Sequence, residues 1–248
     1  MKQYVIGIAG CANSGKDTIA SMINYIFVDG ITQASYQRYV VRRVSIDGTF
    51  RDRIVHFADT VKDVLSCMYN IPRSYFDDRV YKDEYWYNLT KGEFIKQPVV
   101  IGPGYNVINI EHLSDDWSLH DILKTYDELD NVIKLRTLMQ YFGTNICRDK
   151  MGDDIWVNAT MRRAVDVANA RRLCIIPDVR FDNEASAIRK LDDSLYGGVI
   201  KISRQSDTTA THESEVIDFA CNYEIYNDGT LMQLFYKVLD ICQQIVLE

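Results

Sequence analysis

Nine residues near the start, Gly10-Cys11-Ala12-Asn13-Ser14-Gly15-Lys16-Asp17-Thr18, carry the most explicit chemistry in this 248-residue chain. The spacing G-x-x-x-x-G-K is that of a phosphate-binding loop. In such a loop the backbone N–H groups and the first turn of the following helix point into one concavity, where the helix dipole favours a polyphosphate. Asn13, Ser14, Gly15 and Lys16 are the expected contacts, with the Lys16 ammonium reaching the outer phosphates. One position departs from the general motif. The Ser or Thr that usually follows the lysine and touches magnesium is Asp17 here, and Thr18 comes next. These two are the candidate metal ligands. Asp17 can hold the ion directly or through water, and Thr18 can instead bond a phosphate oxygen.

Phosphoryl transfer also needs a positioned acceptor and positive charge where negative charge moves. Four further stretches can supply these. In Ile175-Ile176-Pro177-Asp178-Val179-Arg180-Phe181-Asp182-Asn183-Glu184 an apolar run ends in a carboxylate and then a guanidinium. Asp178 can hold magnesium through water or orient the acceptor, and Arg180 can clamp a phosphate bidentately. The competing reading makes Asp178 a cap for a helix starting near Asp182 and Arg180 a surface ion pair. In Arg136 through Arg148, Arg136 and Gln140 share a helix face at i, i+4, and Gly143-Thr144 would break or kink that helix and free backbone groups. Arg136 and Gln140 can read a phosphate and a base edge, and Trp156 can stack or pack; read alone, however, the stretch is better taken as an amphipathic core helix with solvated charges and Trp156 in the core. In His56-Phe57-Ala58-Asp59-Thr60-Val61-Lys62, Asp59 is a candidate N-cap and Lys62 falls in the first helical turn. A cation there works against the helix dipole, so an anionic ligand is one reason for it and plain solvation is the other. Finally, the polar run from Arg204 past Thr211-His212-Glu213 has the composition of a lid that closes over phosphates, or of an ordinary solvated loop.

The elements that must hold these residues are legible as apolar patterns. Tyr4–Ala9, Arg53–Phe57, Leu173–Pro177, Val199–Ser203 and Tyr223–Tyr226 read as strands. Near-continuous apolar strands alternating with helical stretches predict a parallel sheet covered on both faces. Ile19, Met22, Ile23 and Ile26 give the glycine loop its helix, and Leu231, Leu234, Phe235, Val238, Leu239 and Cys242 make the stripe of a last one. Asn227-Asp228-Gly229 marks the turn before it. Roughly 115 residues between the second and third strands are too many for one crossover. Asp59–Tyr69 is helical by pattern, residues 99–108 around Gly102-Pro103-Gly104 form a small hairpin, and helical patterns return from Leu119 to about Ala170. The expected fold is therefore α/β, a three-layer α/β/α domain over 1–248 with a five-stranded mostly parallel sheet. Its core is 1–58 and 171–248, its largely helical insertion 59–170, and its lid 204–215.

Composition narrows the partners. A net charge of −7 argues against a broad basic surface for nucleic acid. The six cysteines include no C-x-x-C pair, so neither a zinc site nor a disulfide framework is indicated, and a reducing compartment fits. No apolar run approaches the ~20 residues of a membrane span, and the N-terminal strand leading to the loop is not a signal peptide. The expected location is the cytoplasm.

Taken together, Gly10–Thr18, Phe57–Lys62, Arg136–Arg148 with Trp156, Pro177–Glu184, His212–Glu215 and Asn227–Gly229 resemble the bacteriophage deoxynucleoside monophosphate kinases. The resemblance implies ATP-dependent phosphorylation of a deoxynucleoside monophosphate to its diphosphate, with magnesium, in a host cytoplasm. It implies that Lys16 and the loop amides hold ATP phosphates and that Asn227, Asp228 and Gly229 lie near the adenine. Lys62, Arg136, Gly143, Thr144, Arg148, Trp156, Asp178, Arg180 and Glu184 would surround the acceptor. Arg204 enters by analogy with lid arginines of this kinase class, as a catalytic cation beside Lys16, Asp178 and Arg180. The family also carries Asp after the loop lysine, which turns Asp17 from a departure into support. The alternatives are another small-molecule kinase on the same scaffold, such as a dephospho-coenzyme A kinase, and a nucleotide-dependent switch. A homodimer is compatible with the sequence; a nucleic-acid or membrane partner is not expected.

Overall fold

A computed structural model describes residues 2–89, 92–95, 100–101, 107–108, 132–191, 194–204 and 217–247. The chain divides into two compact units, Met1–Phe57 with Val157–Glu248, and Ala58–Trp156. Residues 157–170, expected with the insertion, cluster with the sheet instead.

The first unit is built on β1 (Gln3–Ala9), β7 (Leu173–Val179), β8 (Leu195–Ser203) and β9 (Tyr223–Tyr226), in the order β7-β1-β8-β9. All three pairings are parallel. Side chains of β1 alternate between two cores. Tyr4, Ile6 and Ile8 pack with α1 (Lys16–Asp29), α2 (Tyr36–Phe50) and α8 (Leu231–Leu247). Val5 and Ala9 face the opposite way, with Val157, Ala164 and Ala168 of α6 (Ile155–Arg171) and Ala185 and Ile188 of α7 (Asp182–Arg189). A parallel strand buried on both faces has to be apolar at every position, which is why it reads as a continuous run.

The sheet has four strands among the described residues, and the expected strand at 53–57 shrinks to a bridge. Ile54 pairs with Ile175, and Val55 N–H donates to the Ile175 carbonyl at 3.0 Å. Two features stop it growing. Arg51–Arg53 is wound into a 3-10 turn, and the Phe57 N–H bonds the Asp178 carboxylate rather than a strand. Two other strands are longer than the apolar runs announced. Pro177 sits inside β7, which is tolerated because β7 is an edge strand. Gly197-Gly198 sits inside β8.

The second unit is less helical than expected. Its core joins Val61 and Leu65 of α3 (Asp59–Tyr69) to Phe76, Trp86, Tyr87, Ile133, Leu135 and Trp156. A three-stranded antiparallel sheet runs through it, with β2 (Trp86–Asn88) between β3 (Glu93–Ile95) and β6 (Val132–Lys134). Each strand has three residues and β2 is buried at all of them, so no period-two alternation advertises it. The hairpin expected at 99–108 forms, β4 (Val100–Ile101) pairing antiparallel with β5 (Val107–Ile108). The helical patterns expected from Leu119 to residue 131 lie outside the described residues. Then α4 (Arg79–Asp83) and α5 (Leu135–Gln140) complete the elements used below.

Candidate active site

β1, β7, β8 and β9 run parallel, so the residues following them leave the same edge of one sheet. Gly10 follows β1, Arg180 follows β7, Arg204 follows β8 and Asn227 follows β9. Ligands of open α/β sheets bind outside the carboxyl ends of the strands. Four of the sequence-derived groups are thus brought to one edge of the sheet by topology alone.

The loop between β1 and α1 is shaped by backbone. Asn13 and Gly15 adopt left-handed conformations, with φ of 61° and 108°. Gly15 is the N-cap of α1 and gives no side-chain cap, so no side chain competes for the first-turn N–H groups. A Cβ on Gly15 would also stand 2.8 Å from Asn227 Nδ2, and one on Gly10 2.7 Å from the Ile202 carbonyl oxygen. The Asn227 amide donates to the Ser14 carbonyl at 2.8 Å, and its backbone N–H donates to Ser203 at 2.8 Å. The Asn-Asp-Gly turn is therefore a clamp on the loop. Asp228 is spoken for by Lys237, at 2.8 Å, which holds its carboxyl below the usual range. Ser14 is fully buried, and its hydroxyl has no partner among the described residues.

Lys16 arches back over the loop and donates to the carbonyls of Gly10 at 2.6 Å and Cys11 at 2.5 Å. Burial, and then the neighbouring Arg180 guanidinium, pull its pKa below the ordinary lysine range, while Asp17 and Asp178 pull the other way. Arg180 is exposed and makes no ion pair or hydrogen bond through its guanidinium among the described residues. The ion pair of the competing reading is thus not found among the described residues. The capping reading of Asp178 fails as well. Its two oxygens accept from Phe57 N–H at 3.2 Å each, and α7 is capped instead by a box in which Glu184 accepts from Arg180 N–H at 2.8 Å and Phe181 N–H at 3.2 Å. Glu184 is 2% exposed, so it supports the Arg180 backbone from within. Asp17 is exposed and Thr18 half-buried in the first turn of α1. The lid stretch beyond Arg204 lies outside the described residues.

The other candidates belong to the second unit. Lys62 donates to Asp77 at 2.8 Å. Arg73, which sequence reasoning passed over, contacts Asp59, Asp63 and Asp77 at 2.8, 2.7 and 2.5 Å, and Ala58 rather than Asp59 is the N-cap of α3. Arg136 grips Asp83 with two bonds, of 2.6 and 2.8 Å, which lower the Asp83 pKa. The break expected at Gly143-Thr144 is a π-helical stretch, Tyr141–Arg148, continuing α5. The Gly143 carbonyl accepts from the Trp156 indole at 2.8 Å. Trp156 is 6% exposed and packs in the core of this unit, so its ring presents no open face. Thr144 is exposed and Arg148 half-buried. No group of three or more His, Cys, Asp or Glu side chains is arranged to hold a metal among the described residues, and none of the described helices is long and apolar enough to cross a membrane.

A parallel α/β sheet thus carries a glycine loop, a lysine and an arginine without an ion pair among the described residues at its carboxyl edge. The family comparison makes this specific. Residues 4–238 match the model of the deoxynucleotide monophosphate kinases, and the chain belongs to that family of transferases. A relative, the deoxynucleoside-5'-monophosphate kinase of Escherichia phage T5, is 24% identical over 231 residues, covering 85% of this chain and 83% of that protein.

Proposed function

We propose that the protein transfers the γ-phosphoryl group of ATP to a deoxynucleoside monophosphate, giving ADP and the deoxynucleoside diphosphate, in the cytoplasm of a phage host. The observation that carries this is the convergence of Lys16, Asp178 and Arg180 beside the glycine loop, at one edge of a parallel sheet. The first-turn N–H groups of α1, with Asn13, Ser14, Gly15 and Lys16, bind the ATP phosphates. Lys16 exchanges the Gly10 and Cys11 carbonyls for phosphate oxygens, which carry full charge and are stronger acceptors. Asn227, Asp228 and Gly229 flank the adenine.

An acceptor phosphate oxygen attacks the γ-phosphorus in line; its bond forms as the bond to the β–γ bridging oxygen breaks and ADP leaves. No enzyme nucleophile is required, because the acceptor phosphate is already largely ionised. Arg180, Lys16 and Arg204 stabilise the charge spread over the equatorial oxygens. Asp178 holds the backbone of Phe57 and orients the acceptor side. Magnesium fits the oxygen donors Asp17 and Thr18, because the exposed Asp17 carboxylate makes no ion pair among the described residues. Held there with ATP, the ion would neutralise phosphate charge. Lys62, Arg136, Gly143, Thr144 and Arg148 bind the acceptor, with Trp156 and Glu184 as the buried supports of Gly143 and Arg180.

The test is steady-state ADP release with each deoxy- and ribonucleoside monophosphate. The proposal expects acceptor-dependent release with at least one deoxynucleotide; background rates with all of them would contradict it.

A further inference from the structure

Phe181 stands where a helix-capping side chain is expected. It is the N-cap of α7, with extended φ and ψ of −121° and 152°, and it gives the helix no side-chain hydrogen bond. Ser, Thr, Asp and Asn are favoured at such a position because their oxygens bond the first-turn N–H groups. Here neighbours do that work. The Asn183 side chain accepts from Glu184 N–H at 3.0 Å, and the Glu184 carboxylate accepts from Phe181 N–H at 3.2 Å and Arg180 N–H at 2.8 Å. The Phe181 carbonyl accepts from Ala185 N–H at 3.1 Å, so the backbone of this residue is held on both sides. Nor does the core claim the ring. Val179, Ala185 and Ile188, its neighbours along the chain, are buried, whereas Phe181 is 40% exposed. A local preference overridden without full burial in return is expected at functional sites.

The sheet order says which substrate such a ring would meet. In β7-β1-β8-β9 the residues after β7 lie at one end of the carboxyl edge, and Asn227-Asp228-Gly229, after β9, lie at the other. At about 4.8 Å per strand the two ends are about 14 Å apart. The glycine loop follows β1, beside β7. A donor nucleotide with its phosphates in that loop and its base toward β9 leaves the β7 end to the acceptor. Of the exposed aromatic rings among the described residues, only Phe181 follows β7; Tyr226 closes β9 and Tyr236 lies on α8.

We propose that Phe181 is an acceptor-binding residue, its ring stacking on the base of the incoming mononucleotide. The assignment rests on the kinase reading given above. Every base has a π-face, so the stack adds affinity for any of them and leaves the choice of base to other contacts. A ring carried on a fixed backbone has little freedom to lose on binding.

The experiment compares the wild type with Phe181→Ser, Phe181→Leu and Phe181→Trp in the full chain. Binding of deoxynucleoside monophosphates, and of deoxyribose phosphate, which has no base, is read by calorimetry without ATP. KM values for acceptor and ATP come from steady-state assay. Phe181→Ser is expected to weaken mononucleotide binding and raise the acceptor KM by about tenfold. Binding of deoxyribose phosphate and the KM for ATP stay as in the wild type. Serine is the better cap, so the unfolding midpoint holds or rises. Phe181→Leu, apolar but without a ring face, loses most of the same affinity, and Phe181→Trp keeps it. Should Phe181→Ser fail to fold, Phe181→Leu against Phe181→Trp carries the same comparison. Unchanged mononucleotide binding in Phe181→Ser would overturn the assignment, as would an equal loss for deoxyribose phosphate or a loss confined to the KM for ATP. Ring-dependent mononucleotide binding without any phosphoryl transfer by the wild type would count against the kinase reading and leave this site standing.

Discussion

The two units hold their cations in opposite ways. At the sheet edge, Lys16 is bonded only to loop carbonyls and Arg180 to no acid among the described residues. In the second unit, Lys62, Arg73 and Arg136 each grip aspartates. The first arrangement leaves strong positive charge at a place fixed by backbone, where charge migrates in the proposed reaction. The second stores its cations against replaceable counter-ions, which suits a pocket that must admit and release a substrate. In the kinase reading, Lys16 and Arg180 act on the transferred group, and the aspartate-held Lys62 and Arg136 act on the acceptor.

This contrast is open to attack in order of effect. Lys16→Ala should lower turnover by about a thousandfold or more, since it removes a cation from the transferred phosphates. Circular dichroism and the unfolding midpoint should be unchanged. Arg180→Ala should cost about a hundredfold in kcat/KM with equally little change in stability, because its guanidinium supports no folded contact among the described residues. Near-normal activity in Arg180→Ala would remove it from the acceptor clamp. Glu184→Ala should act the other way round. Loss of the buried capping box should cost about 1–3 kcal/mol, read as a fall of several degrees in the unfolding midpoint, with activity following the displaced Arg180 backbone.

The second unit should respond more gently. Asp83→Asn removes the carboxylate from Arg136 but breaks only a partly exposed pair, so stability should change by about 0.5 kcal/mol or less. The KM for the acceptor should move while that for ATP does not. The smallest effect is in acid. Arg136 bonding depresses the Asp83 pKa, so the stabilisation from this pair is present above the ordinary carboxylate range and is lost as pH falls through the depressed value. Acid titration of the wild type against Asp83→Asn should diverge only at that low-pH end.

How much of this was legible in the sequence follows the same divide. Tyr4–Ala9, the glycine loop and α1 are contiguous, and each level of pattern agrees with the next, so the loop could be read directly. Asp59–Tyr69 and the last helix were equally plain, because their apolar stripes are local. The strand at 53–57 was over-read, since nothing local reveals that Phe57 gives its N–H to Asp178, 121 residues away. The three-residue strands of the second unit, and the pairing of Arg136 with Asp83 across 53 residues, carry no local signature either. The spacing of Arg136 and Gln140 is local, whereas Asp83, which Arg136 grips, lies on α4. Trp156 and Glu184 were recognisable as important residues, but only the fold distinguishes a buried support from a ligand contact.

The central claim is transfer to a mononucleotide, and following the phosphorus tests it most directly. With ATP labelled in the γ-phosphate and an accepted deoxynucleoside monophosphate, the label should arrive as the β-phosphate of the diphosphate, in equal amount to the ADP formed. Label released as inorganic phosphate, with the mononucleotide unchanged, would contradict the account.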